Sequence, residues 1–161
     1  DKTNDLYGRT IESYFDQTKH NFRLQLDYKP ISNLKLRGRF EQSYFSLQKQ
    51  SSGMLIYQDI KYKPSDYFTL YSRLTFFDTE DYDSRVYQFE NDVPYVLTNQ
   101  MLYGKGNRLY ICMIFNFLKI MKFGVKYSIT TYEYVDSIGS AQDKILDNSI
   151  RSFNIQLQTS Y

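Results

Sequence analysis

Apolar and polar side chains alternate with a period of two along almost the whole chain, the signature of strands with one apolar and one polar face. In "NFRLQLDY" (21–28), Phe22, Leu24, Leu26 and Tyr28 oppose Arg23, Gln25 and Asp27. In "LKLRGRFEQSY" (34–44), Leu34, Leu36, Phe40 and Tyr44 oppose Lys35, Arg37, Arg39 and Glu41. "MLIYQDIKY" (54–62) sets Met54, Ile56, Ile60 and Tyr62 against Tyr57, Asp59 and Lys61, and "FTLYSRLTF" (68–76) sets Phe68, Leu70, Leu74 and Phe76 against Thr69, Tyr71, Arg73 and Thr75. "RLYICMIFNF" (108–117), "KFGVKYSITTY" (122–132) and "SFNIQLQTSY" (152–161) continue the scheme, and no segment carries a 3.6-residue stripe. A first strand is expected at about 7–16. Further strand structure is expected between 84 and 107, with "RVYQFEN" descending, a turn at "NDVP" and "YVLTNQML" ascending, for about ten strands in all.

A short repeat punctuates these strands. "DYKPISNLKLRGRF" (27–40) and "KYKPSDYFTLYSRL" (61–74) share an aromatic residue, Lys, Pro, a tight turn and an alternating strand, and "NFLKIMKFGVKYSI" (116–129) is a looser copy without the proline. Proline cannot donate to a ladder, which places Pro30 and Pro64 in turns. The other connections, "SLQKQSSG" (46–53), "DTEDYDS" (78–84) and "VDSIGSAQDKILDNS" (135–149), are longer and polar. Short turns at one end and long polar loops at the other is the asymmetry of an antiparallel transmembrane β-barrel of the outer-membrane type.

Periodicity alone does not separate such a barrel from a soluble one with an apolar lumen; the position of side chains along each strand does. The apolar face is aliphatic in mid-strand. It is aromatic at both ends, with Tyr28, Tyr62, Phe68, Phe117, Phe123 and Tyr161 toward the short turns and Phe22, Tyr44, Phe76 and Phe153 toward the long loops. Two aromatic belts around an aliphatic band suit two membrane interfaces around hydrocarbon. The opposite face carries Arg23, Lys35, Arg37, Arg39, Glu41, Asp59, Arg73, Lys122 and Lys126, too many charges for a dry core but acceptable in a hydrated or plugged lumen.

Composition changes this picture little. The 161 residues suffice for one domain and hold 17 Tyr and 12 Phe but no Trp, which favours strands. A net charge of +2 gives no pointer to nucleic acid. The lone Cys112 excludes an intrachain disulfide, and no apolar run approaches the roughly 20 residues of a membrane helix. The chain starts "DKTNDLYGRT", without an initiator Met, which is expected of a mature form or a fragment.

Candidate chemistry is sparse. His20, the only histidine, has no nucleophile or carboxylate at a suggestive spacing and reads as a loop or interface residue. Asp78, Glu80, Asp81 and Asp83 crowd "DTEDYD" but lack the glycine-turned order of a calcium loop. "YGKGN" (103–107) lacks the strand and helix around a phosphate loop and reads as a hairpin tip. The basic residues of the polar face could bias a pore toward anions or hold an acidic plug; the simpler expectation is a structural network with Glu41 and Asp59. No cofactor or metal is expected.

The final strand, with Phe153, Ile155, Leu157, Thr159 and Tyr161 on one face, resembles the β-signal read by the outer-membrane assembly machinery. "FDTEDYDSRVYQFENDVPYVL", "MLYGKGNRLYICM" and "DSIGSAQDKILDNSIRSFNIQLQTSY" (within 77–161) resemble the C-terminal barrel region of Bacteroidota outer-membrane proteins whose complete chains carry a helix-hairpin-helix segment. That resemblance implies an outer-membrane location, and the alternation of strands from the short turns is expected to leave the C-terminus on the periplasmic side. The expected partners are outer-membrane lipids, lipopolysaccharide and the assembly machinery, and the chain is expected to be either the whole barrel or the C-terminal part of a larger one to which other subunits or further strands contribute. The expected role is structural, transport or assembly; the alternatives are a small outer-membrane enzyme and a soluble ligand-binding β-barrel.

Overall fold

The computed structural model describes residues 2–4, 10–12, 17–47, 49–117, 120–139 and 144–159. Every regular element among them is a strand. Seven form one antiparallel sheet: β3 (Thr18–Ile31), β4 (Leu34–Ser46), β5 (Gln50–Ser65), β6 (Phe68–Thr79), β9 (Lys105–Phe117), β10 (Met121–Tyr132) and β11 (Ser149–Thr159), in the order β11-β10-β9-β6-β5-β4-β3. β7 (Val86–Glu90) and β8 (Thr98–Leu102) make a separate hairpin, and β1 (Lys2–Asn4) pairs with β2 (Thr10–Glu12). Of the first strand expected at about 7–16, residues 10–12 thus belong to a short ladder with 2–4, and 7–9 and 13–16 lie outside the described residues.

The segment 84–107 differs from expectation. β6 pairs directly with β9, from Phe68 opposite Phe115 to Asp78 opposite Lys105, so no strand from 84–107 enters the sheet. Two five-residue strands are too short to run beside neighbours of 12 and 13 residues. The turns at 32–33 and 66–67 and the paired ends of β9 and β10 at Phe117 and Met121 still share one end of the sheet, because an even number of interposed strands leaves the direction of β9 unchanged.

Both prolines lie just inside strand ends rather than in the turns. The β3–β4 register shifts between Tyr28 and Ile31, and the β5–β6 register between Tyr62 and Ser65. Pro30 and Pro64 occupy these irregularities, where a residue without an N–H breaks no ladder bond. The sequence repeat is therefore a repeated bulge followed by a tight turn.

The two faces of the sheet have inverted burial. Leu24, Leu26, Ile56, Ile60, Leu74, Ile155 and Leu157 are exposed, Leu26 at 73%. On the opposite face Glu41, Arg73, Arg108 and Lys126 are buried, together with Ser43, Thr75, Ser128 and Thr130. The β7–β8 hairpin covers this polar face. Its Val86 and Leu102 pack with Leu55, Tyr57 and Phe77 of the sheet, with Tyr132 alongside, in one small apolar cluster.

Among the described residues β3 and β11 form the edges, and each pairs on one side only. With seven strands alternating in direction, the two edges run the same way, so the antiparallel sheet is open within the described residues.

Candidate functional site

The most developed chemistry lies where the hairpin meets the polar face. Alternation on β9 and β10 turns Arg108, Tyr110, Lys126 and Thr130 toward the hairpin, and β7 with the turn after it delivers Glu90 and Asp92 to meet them. Arg108 donates to both Glu90 carboxylate oxygens, at 2.6 and 2.9 Å, and to the Thr130 hydroxyl at 2.7 Å. Lys126 lies between Glu90 at 3.0 Å and Asp92 at 2.7 Å. Asp92 also accepts the Thr98 hydroxyl and the Val93 N–H. The Glu90 side chain is 0% exposed and that of Lys126 3%, so these charges survive burial only as a mutually satisfied set.

A second cluster adjoins it. Arg73 donates to both oxygens of Asp59 on β5 and to the backbone carbonyl of Phe89. Its guanidinium stacks 3.8 Å from the Tyr57 ring centroid. Gln88 accepts from the Thr75 hydroxyl at 3.0 Å and donates to Glu90 at 3.1 Å, joining the clusters. The Tyr110 hydroxyl accepts from the backbone and side-chain N–H groups of Asn91.

Backbone contacts fix the hairpin's height. A Cβ on Gly124 would lie 2.7 Å from Cδ of Pro94 and 3.0 Å from Val93, and one on Gly53 would overlap the Ser84 carbonyl oxygen, which accepts from Ser43. Gly124→Val is expected to push the 93–94 turn off the sheet and lower stability by about 1–3 kcal/mol in denaturant titrations. Gly38→Ala, whose Cβ would meet only Gln58 at 3.6 Å, is expected to have little effect.

The structural-network expectation for the basic residues holds in part. Arg23 pairs with Glu41 at 2.8 Å, Arg39 approaches Glu41 at 4.0 Å and donates to Gln25, and Arg73 takes Asp59. The carboxylates serving Lys126, Glu90 and Asp92, come instead from the hairpin. Lys35 and Arg37 share Asp27, and Lys122 is exposed beside a cleft at the short-turn end.

Of the expected aromatic belts, Phe22, Tyr28, Tyr44, Tyr62, Phe76 and Phe117 are exposed on the apolar face, and Phe68 and Phe123 are half-buried. Phe115, absent from that expectation, joins Phe68, Phe117 and Phe123 with ring centroids 5.1, 6.5 and 6.2 Å away. In the final strand Phe153, Ile155, Leu157 and Thr159 are exposed on edge strand β11, while Tyr161 lies outside the described residues.

The remaining candidates do not converge. His20 is exposed on β3 opposite Tyr44. The "DTEDYD" carboxylates are dispersed: Asp78 to Lys105, Glu80 to the Ser52 N–H and hydroxyl, Asp81 to the N–H groups of Asp83 and Ser84. Cys112 is fully buried in the sheet, level with Tyr71 and Lys126. Gly104 of "YGKGN" forms the tight connection from β8 to β9 and exchanges bonds with Thr79.

No family model matches the chain, and neither the curated proteins nor the solved structures contain a match to it.

Proposed function

We propose that the seven-stranded sheet is part of the wall of an outer-membrane β-barrel, with its aliphatic face toward lipid and its polar face, carrying the β7–β8 hairpin, toward the lumen. The observation that carries this reading is the inverted burial: large aliphatic side chains stand exposed in mid-strand while ion-paired Glu90, Arg108 and Lys126 are enclosed. Water penalises that exposed face, whereas hydrocarbon rewards it. The aromatic residues near the strand ends suit the two interfaces.

In this setting the protein is a structural, transport or assembly component rather than an enzyme, and its hairpin narrows or plugs the lumen. The long polar loops face lipopolysaccharide, and the short turns face the periplasm. β11 offers an exposed apolar face and an unpaired backbone edge, the form in which an assembly machine could read Phe153, Ile155 and Leu157.

An unpaired edge is not tolerated in lipid. Since β3 and β11 run the same way, antiparallel closure takes an odd number of additional strands between them. A ring of like-oriented copies of this sheet would create parallel seams, so the missing strands come from elsewhere in the same wall. The wall thereby reaches the even strand number usual for such barrels.

The test is expression with an outer-membrane export signal, followed by carbonate extraction of membranes and cold and heated gel electrophoresis. Retention in the membrane and migration that shifts on heating are expected, and Tyr161→Asp is expected to reduce insertion. Recovery of a detergent-free, water-soluble monomer would overturn the reading in favour of a soluble barrel.

A further inference from the structure

We propose that the polar face holds a phosphate-class anion site at its short-turn end, built by Lys35, Arg37 and Lys61. Its placement in a lumen rests on the reading above; the binding chemistry does not.

Near the hairpin Arg73, Arg108 and Lys126 are matched with Asp59, Glu90 and Asp92, but Lys35, Arg37 and Lys61 are not matched in number. Lys35 and Arg37 draw on the single carboxylate of Asp27, at 2.9 and 2.6 Å. Asp59, the other carboxylate nearby, is committed through both oxygens to Arg73. Lys61 has no ion-pair partner among the described residues, and its ammonium rests 5.4 Å from the centroid of the Tyr71 ring. The cluster therefore carries an excess of positive charge.

The register makes that excess more telling. Lys35 and Lys61 are directly opposite each other on β4 and β5. Like charges in that relation destabilise a sheet, because their Cβ atoms are held about 5 Å apart. An anion between them converts the repulsion into two favourable contacts. The space is present: a cavity of about 220 Å³ is lined by Lys35, Arg37, Ile60, Lys61, Tyr71 and Asn91, together with Asp59, whose two oxygens are taken by Arg73.

Charge and shape select the ligand. Two ammonium groups and a guanidinium match a dianion with several oxygens better than a monocarboxylate, and a guanidinium suits phosphate geometry. The volume admits inorganic phosphate or a small phosphomonoester, the chemistry that a free solute and a lipid headgroup share.

The experiment uses the full chain folded in detergent micelles, with thermal midpoints measured against sodium phosphate, glycerol 3-phosphate and sodium chloride at matched ionic strength. A saturable rise with phosphate and none with chloride is expected. An equal rise with glycerol 3-phosphate assigns the site to monoesters, and a rise with phosphate alone assigns it to the free ion. Lys61→Gln is expected to be at least as stable as the parent without phosphate, since a repulsion is removed, and to weaken phosphate binding at least tenfold. Lys35→Gln should weaken it similarly, whereas Lys105→Gln, at the opposite end of the sheet, should not. Equal stabilisation by chloride, or an undiminished phosphate response in both Lys61→Gln and Lys35→Gln, overturns the proposal. Heat-modifiable protein without a phosphate response sinks this site and leaves the barrel reading standing; phosphate binding by a water-soluble monomer does the reverse.

Discussion

Leu74→Arg is expected to destabilise the protein by about 2–4 kcal/mol if the proposed barrel wall sets its aliphatic face against lipid, the penalty for a cation near a bilayer midplane. Leu74 is in the middle of β6, flanked by β5 and β9, and the residue is 42% exposed. In water, the same replacement at a half-exposed strand position would fall within about 0.5 kcal/mol of neutral. The two environments therefore predict results that differ severalfold. Equilibrium unfolding in urea, in lipid vesicles, measures the difference. Leu26→Arg, on edge strand β3, provides a second reading of the same face, with the change set against an unpaired edge instead of a paired one. A shift within experimental error of zero at both positions would remove lipid as the partner of the aliphatic face.

The sheet was legible because its signal is local. A strand with different surroundings on its two faces writes a period of two into adjacent residues, and the segments read as strands at 21–28, 34–44, 54–62, 68–76, 108–117 and 122–132 each fall in a strand of the sheet. The hairpin was not legible as a cover for the polar face. "RVYQFEN" and "YVLTNQML" alternate enough to pass for wall strands, and nothing local says whether a strand joins a sheet or lies across it. One trace was available: Val86, Gln88 and Glu90 share one face of β7 while Tyr87 and Phe89 share the other, a mixture unlike the clean division of the longer strands. The ion pairs were hidden for a related reason. Arg108 follows Glu90 by 18 residues and Lys126 follows Asp92 by 34, so only the folded hairpin brings them together. The proline repeat is visible in the sequence but does not distinguish a turn from a strand-end bulge, since a missing N–H is equally compatible with both.

Removing the Glu90 carboxylate is expected to be the most damaging single change in the interior. Glu90→Met leaves Arg108 without its bidentate acceptor and strips one of two carboxylates from Lys126, so two buried cations become under-compensated. Breaking such a set from one side destabilises by about 3–5 kcal/mol, whereas replacing both partners by apolar residues of similar size is often neutral. The double variant Glu90→Met with Arg108→Met should therefore recover much of the loss, with Lys126 retained by Asp92; a double variant as unstable as the single one would mean that the hairpin depends on shape at this point and not on charge. The same cluster gives a pH dependence. Burial works to raise the Glu90 carboxyl, but the hydrogen bonds and charges of Arg108 and Lys126 outweigh it and hold the group below its ordinary value. Asp92 is lowered in the same way, burial being overcome by Lys126, Thr98 and the Val93 N–H. A carboxyl depressed in the folded state contributes stability that is complete above its unfolded value, about pH 4 to 4.5, and is lost as pH falls through the folded value. The parent protein should accordingly lose stability as the pH falls below about 4.5. The Glu90→Met, Arg108→Met variant, with one of these carboxyls gone, should show a shallower acid limb in denaturant midpoints recorded across that range, and equal slopes for the two proteins would exclude Glu90 as its source.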